Sequence, residues 1–94
     1  MLYHIIHSPF ELLSLAQCLS RLRPGQDQLL LSRDAVIAAA APQWQAQLAA
    51  LAVPVYVLAE DLTARGLRAG VGEVIDMAGF VDLVAREGNP LLWG

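Results

Sequence analysis

The chain contains no lysine, and its six basic residues are all arginine. That absence excludes Schiff-base chemistry, the lysine of a Walker phosphate loop and the lysine of phospho-acceptor receiver domains, because each needs an ε-amine. There is one cysteine, Cys18, so neither an internal disulfide nor a cysteine-built zinc site can form, and a reducing, cytoplasmic setting is expected. Charge is scarce as well. Six basic and nine acidic residues make up 16% of the chain and leave a net charge of −3, with a pI near 5.1. Capture of a polyanion requires clustered positive charge, so no direct contact with nucleic acid is expected. The longest uncharged stretch, residues 35–59, runs for 25 residues but contains Pro42, Pro54 and three glutamines, which disqualifies it as a membrane span. The opening residues MLYHIIHSPFELL lack a basic region and place Glu11 inside the early apolar stretch, so no secretory signal is expected either. No GxGxxG or GxxxxGK[ST] pattern is present, and no cofactor or metal is expected.

What is abundant is apolar material. Hydrophobic residues account for 56% of the chain, above the ~45–50% usual for soluble domains even when glycine is counted with them. The length, 94 residues, sets one small domain over residues 1–94. An isolated chain of this mass buries only about two-thirds of its extended surface, so the apolar excess calls for a partner chain to cover it.

Periodicity gives the order of elements. Residues 2–7 form a short apolar run that meets Ser8-Pro9-Phe10-Glu11, a cap residue followed by proline at the first helical position and glutamate at the third. Leu12, Leu15, Ala16, Leu19 and Leu22 then repeat at helical spacing, predicting a helix over roughly residues 9–22, until Arg23-Pro24-Gly25 breaks it. A strand is predicted over residues 28–32, Asp34 is placed to cap the alanine-rich segment 35–41, and Pro42 opens a further helix whose stripe is Trp44, Leu48 and Leu51. Residues 54–59 read as a central strand, residues 60–65 as a helix stopped by Gly66, and residues 68–72 as a loop containing Gly70 and Gly72. Residues 73–76 are a short strand, 77–87 a helix with Phe80, Val81 and Val84 on one side, and 91–93 a last strand. Continuous apolar strands alternating with helices predict a three-layer α/β/α sandwich around a mainly parallel sheet of four to five strands.

Ligands in open α/β sheets gather beyond the carboxyl ends of the strands. The residues expected there are His7-Ser8, Ser32 to Asp34, Glu60-Asp61 and Asp76. His7, Asp34 and Asp61 would form an acid–base or hard-metal cluster if their loops converged, whereas helix capping accounts for Ser8, Asp34, Glu60 and Asp76 without chemistry. Trp44, Tyr56, Phe80 and Trp93 suit a core or an interface. Cys18 is the candidate catalytic residue, since a thiolate can accept and pass sulfur. It lies at the edge of its helix's apolar stripe, near Ser14, Arg21 and Leu22, with Glu11 a further turn back. Arg21 would favour the thiolate and Glu11 would oppose it, so both an activated and an inert, buried thiol remain open.

Taken together these segments resemble the TusB/DsrH family, the small subunits of TusBCD and DsrEFH sulfur-relay complexes. The resemblance spans nearly the whole chain. It is carried by Met1-Leu2, Ser8-Pro9-Phe10, Leu29 to Leu31 with Asp34-Ala35-Val36 and Ala38-Ala39, Val55-Tyr56-Val57-Leu58, Phe80-Val81-Asp82-Leu83 and Trp93. Its most specific piece is Glu60-Asp61-Leu62 with Ala64-Arg65-Gly66-Leu67. The resemblance implies a DsrEFH-like fold and a place in a heterohexamer with TusC/DsrF-like and TusD/DsrE-like subunits, in which a cysteine of the D-type chain accepts persulfide sulfur. In TusBCD that sulfur goes to 2-thiolation of the tRNA wobble uridine, and in DsrEFH the pathway is dissimilatory sulfur oxidation. No cysteine follows the third strand, so the chain resembles a non-catalytic subunit. Cys18 is similar to a first-helix cysteine of DsrH-type subunits that many TusB-type chains lack, which keeps a sulfur-handling Cys18 as the alternative. A reading of a different class is a stand-alone small-ligand-binding homo-oligomer built on His7, Asp34 and Asp61.

Overall fold

The structure, a computed structural model, describes residues 1–10 and 14–93. Five short apolar segments form one sheet: β1 (Leu2–Ile5), β2 (Gln28–Leu31), β3 (Val55–Leu58), β4 (Glu73–Ile75) and β5 (Leu91–Leu92). The strand order is β4-β3-β2-β1-β5 and every pairing is parallel. Register follows the alternation of the pleat. Tyr3 and Ile5 lie opposite Leu29 and Leu31, which lie opposite Val55 and Val57, and these side chains form one face of the sheet. Leu2, Leu30, Tyr56 and Ile75 form the other.

The first face carries α1 (Ser14–Leu19), a 3₁₀ turn (Arg33–Val36), α2 (Ile37–Ala40), α3 (Pro42–Ala49) and α4 (Ala59–Ala64). Their inward residues Leu15, Cys18, Val36, Leu48 and Leu62 close the main core against Ile5, Leu29, Leu31 and Val57. Ala35, Ala38 and Ala39 are fully buried, and their small size lets this backbone lie close to the sheet. Pro42 breaks the helix as expected and starts α3. The Ala39 carbonyl near that break accepts from Gly70 N at 2.8 Å and Gln45 Nε2 at 3.1 Å. A Cβ on Gly70 would collide with the Gln45 side chain, so this glycine serves packing. The second face is covered by α5 alone (Met77–Glu87), through Phe80, Leu83 and Val84.

The three-layer reading holds, and four local expectations are corrected. The helix expected over residues 9–22 is described only from Ser14 to Leu19, with residues 9 and 10 in a turn where Ser8 Oγ accepts from Phe10 N at 3.2 Å. Its far end stops early because Ser20 Oγ donates to the Gln17 carbonyl at 2.7 Å and Arg21 N bonds the Cys18 carbonyl in a tighter turn. Glu11 and Leu12 lie outside the described residues. Asp34 caps nothing: Ser32 occupies the cap position without a side-chain bond to the turn, and the Asp34 carboxylate takes Arg65 instead. Val81 is 58% exposed: it lies about 100° round the wheel from Phe80, outside the arc of Phe80, Leu83 and Val84, and Leu83 takes the core position.

Candidate functional site

Cys18 lies on α1 facing the sheet, 0% exposed among Leu15, Ile5, Leu29 and Leu31. Burial and then the negative charge of Asp27 push its thiol up to about 11. Arg21, the neighbour expected to favour the thiolate, turns away and stacks over Trp93 with its guanidinium carbon 5.5 Å from the ring centroid. Trp93 in turn meets Tyr3 edge-on, with centroids 5.8 Å apart. Asp27 is itself fully buried at the turn into β2, where Oδ2 accepts from Arg23 N at 2.8 Å and from Arg23 Nε at 3.3 Å.

The carboxyl ends of the strands gather a different set of groups. His4 on β1 points to the α5 face, where its Nε2 and Ser32 Oγ are 2.6 Å apart and its ring lies 6.0 Å from that of Phe80. Desolvation lowers the His4 pKa, the charge of Arg33 adds to that, and Asp61 works against both. Arg33 has φ +51°, a left-handed conformation that costs a non-glycine residue on the order of 1–3 kcal/mol. Asp61 offsets this by accepting the Arg33 N–H at 2.6 Å. The same carboxylate and Asp34 are joined by Arg65, which lies 2.9 Å from Asp34 Oδ1, 3.7 Å from Asp61 Oδ1 and 3.2 Å from the Asp61 carbonyl. The network ties the 3₁₀ turn that follows β2 to α4.

That network borders a cavity of about 240 Å³ lined by His4, Ser32, Arg33, Leu58, Asp61, Met77 and Phe80. The cavity adjoins the topological switch of the sheet: the chain leaving β3 turns to the first face as α4, and the chain leaving β4 turns to the second as α5. Glu60 spans this switch by accepting Met77 N at 2.9 Å, and Asp76 completes the α5 N-terminus by accepting Gly79 N at 2.8 Å. The capping reading therefore holds for Glu60 and Asp76, whereas Ser8 closes the turn at residues 9 and 10. Of the proposed trio, Asp34 and Asp61 come together through Arg65, but the histidine that shares a cavity wall with Asp61 is His4. His7 is no part of the cavity wall, and among the described residues no three His, Cys, Asp or Glu side chains could hold a metal. Strand alternation was the signal that could have placed His4 on this face; nothing in the sequence announces the left-handed Arg33.

The fold is an all-parallel α/β sandwich whose one cysteine is buried between the first helix and the sheet. The chain belongs to the TusB/DsrH family. A family model described as DsrH like protein matches residues 7–89. Over 101 aligned residues the chain is 38% identical to Protein TusB of Yersinia pestis (strain Pestoides F), covering 99% of this chain and 100% of the relative. The same values hold for Protein TusB of Yersinia pseudotuberculosis serotype O:1b (strain IP 31758). Among the described residues no helix is long and apolar enough to cross a membrane.

Proposed function

We propose that the chain is a non-catalytic, cytoplasmic subunit of a TusBCD-type sulfur relay, assembled with TusC/DsrF-like and TusD/DsrE-like chains in a heterohexamer that serves 2-thiolation of the tRNA wobble uridine. The observation that carries the non-catalytic role is the state of Cys18. Sulfur transfer between thiols requires a thiolate that can reach a persulfide sulfur. A thiol pushed up to about 11 is overwhelmingly protonated near neutral pH, and this one is fully buried. The sulfur-accepting thiol then belongs to the D-type partner, and this chain supplies surface. Membership in the TusB/DsrH family over nearly the full length supports the relay itself.

The test is persulfide mapping by mass spectrometry on the complex purified by a tag on this chain. Two further small α/β chains are expected to co-purify, with label on the D-type chain and none on Cys18. Cys18→Ser is expected to assemble normally and retain most sulfur transfer. Label on Cys18 during turnover, with flux lost in an assembled Cys18→Ser complex, would transfer the chain to the DsrH-type reading. Recovery of the chain with copies of itself only would favour the stand-alone homo-oligomer.

A further inference from the structure

We propose that the cavity at the carboxyl ends of β1, β2 and β3 is a binding site for a small carboxylate with a short apolar tail, the carboxylate held by Arg33 and Ser32 and the tail lying against Leu58, Met77 and Phe80. The proposal does not rest on the sulfur-relay reading, since it is argued from the residues of the cavity alone.

The walls divide by chemistry. Leu58, Met77 and Phe80 provide an apolar side, while Arg33 and Ser32 provide the donors. Among the described residues the Arg33 side chain makes no hydrogen bond or ion pair, its backbone N–H going to Asp61, so its guanidinium has five donors in a planar fork suited to a carboxylate. Ser32 is 4% exposed and bonded to His4. With the proton of the neutral imidazole on Nε2, His4 donates to Ser32 Oγ and leaves the hydroxyl proton free for the ligand. The one carboxylate in the wall, Asp61, is partly compensated: its Oδ2 accepts the Arg33 amide and its Oδ1 faces Arg65 at 3.7 Å. The Asp61 contact also holds Arg33 in its left-handed backbone, which fixes where its side chain leaves the rim of the cavity. At about 240 Å³ the cavity is smaller than the ~300–1,000 Å³ of drug-sized sites, which limits the ligand to a handful of non-hydrogen atoms.

Ligand-observed NMR on the full chain, in whatever assembly it forms, tests this with butyrate as the probe and butylamine as the control of equal size and opposite charge. Butyrate is expected to bind at least about tenfold more tightly than butylamine, and Arg33→Asn to weaken it about tenfold, since the ion pair is lost. Asparagine tolerates the left-handed conformation, so this variant keeps the backbone. Met77→Trp, at a half-exposed position, fills the apolar side and is expected to exclude butyrate without disturbing the core. Arg86→Gln, on the far side of α5, is expected to leave binding unchanged. Butyrate binding no tighter than butylamine, or equal binding by wild type and Arg33→Asn, would overturn the proposal.

Discussion

The surroundings of His4 favour its neutral form. Burial lowers its pKa, the Arg33 charge lowers it further, and Asp61 only partly compensates. The unfolded chain therefore takes up a proton near pH 6.5 that the folded chain refuses, so stability is full above that pH and is lost as the pH falls through the window below it. The melting temperature is expected to drop between pH 7 and 5, and His4→Gln to flatten that drop. An unchanged slope in His4→Gln would show another group to be responsible. Asp27 acts in a separate, more acidic window. Burial works to raise its pKa, but the Arg23 side chain and amide, with the amino terminus, hold it below 3.8. Its contribution is present above that pH and lost below, which keeps the two titrations distinguishable. Neither role could be read from residue type. A histidine in an apolar run has ordinary surroundings until the sheet brings Ser32, Arg33 and Asp61 beside it, and Asp27 until the turn folds Arg23 back onto it and the sheet brings up the amino terminus.

The helix α4 ends in a Schellman motif, in which Leu67 N bonds the Leu62 carbonyl at 2.9 Å and Gly66 N bonds the Thr63 carbonyl at 3.1 Å. The motif places Gly66 at φ +63° and returns Leu67 to the core next to Leu62. Gly66→Val is expected to destabilise by roughly 1–2 kcal/mol, because a β-branched residue is disfavoured in that conformation. A melting temperature equal to wild type would mean that the turn relaxes to another geometry. There is open space around the missing Cβ, so any loss reports backbone strain alone. This element was legible in the sequence because glycine at a helix end is a local signal, as were Pro42 opening α3 and Asp76 capping α5. The end of α1 was not. Its apolar spacing continues to Leu22, and a serine hydroxyl competing for a carbonyl overrides the pattern at Ser20.

The two faces of the sheet are covered unequally. Four α-helices and a 3₁₀ turn close the first, whereas α5 alone lies on the second, leaving Met77 and Val81 on α5 and Leu92 on β5 at least half exposed. Both edge strands are short, three residues in β4 and two in β5, and Val74 and Leu91 are exposed on them. Apolar residues so placed promote association, and the chain by itself is expected to self-associate or lose stability at tens of micromolar, with partner chains restoring a single species. Sedimentation velocity with and without co-expressed partners checks this. A sharp, cooperatively stable monomer with no affinity for those partners would remove the argument from composition.

The sequence by itself determined the α/β alternation, the parallel sheet, the helix breaks at proline and glycine and the family, because each depends on local spacing or on residues matched along the chain. It also determined that apolar material exceeds what one small chain can hide. Only the tertiary structure decided the strand order, the burial of Cys18 and the grouping of His4, Ser32, Arg33 and Asp61 around one cavity. The physical reason is range. Capping and breaking are settled within one helical turn, while a pKa or a pocket depends on which side chains parallel strands separated by a crossover bring together.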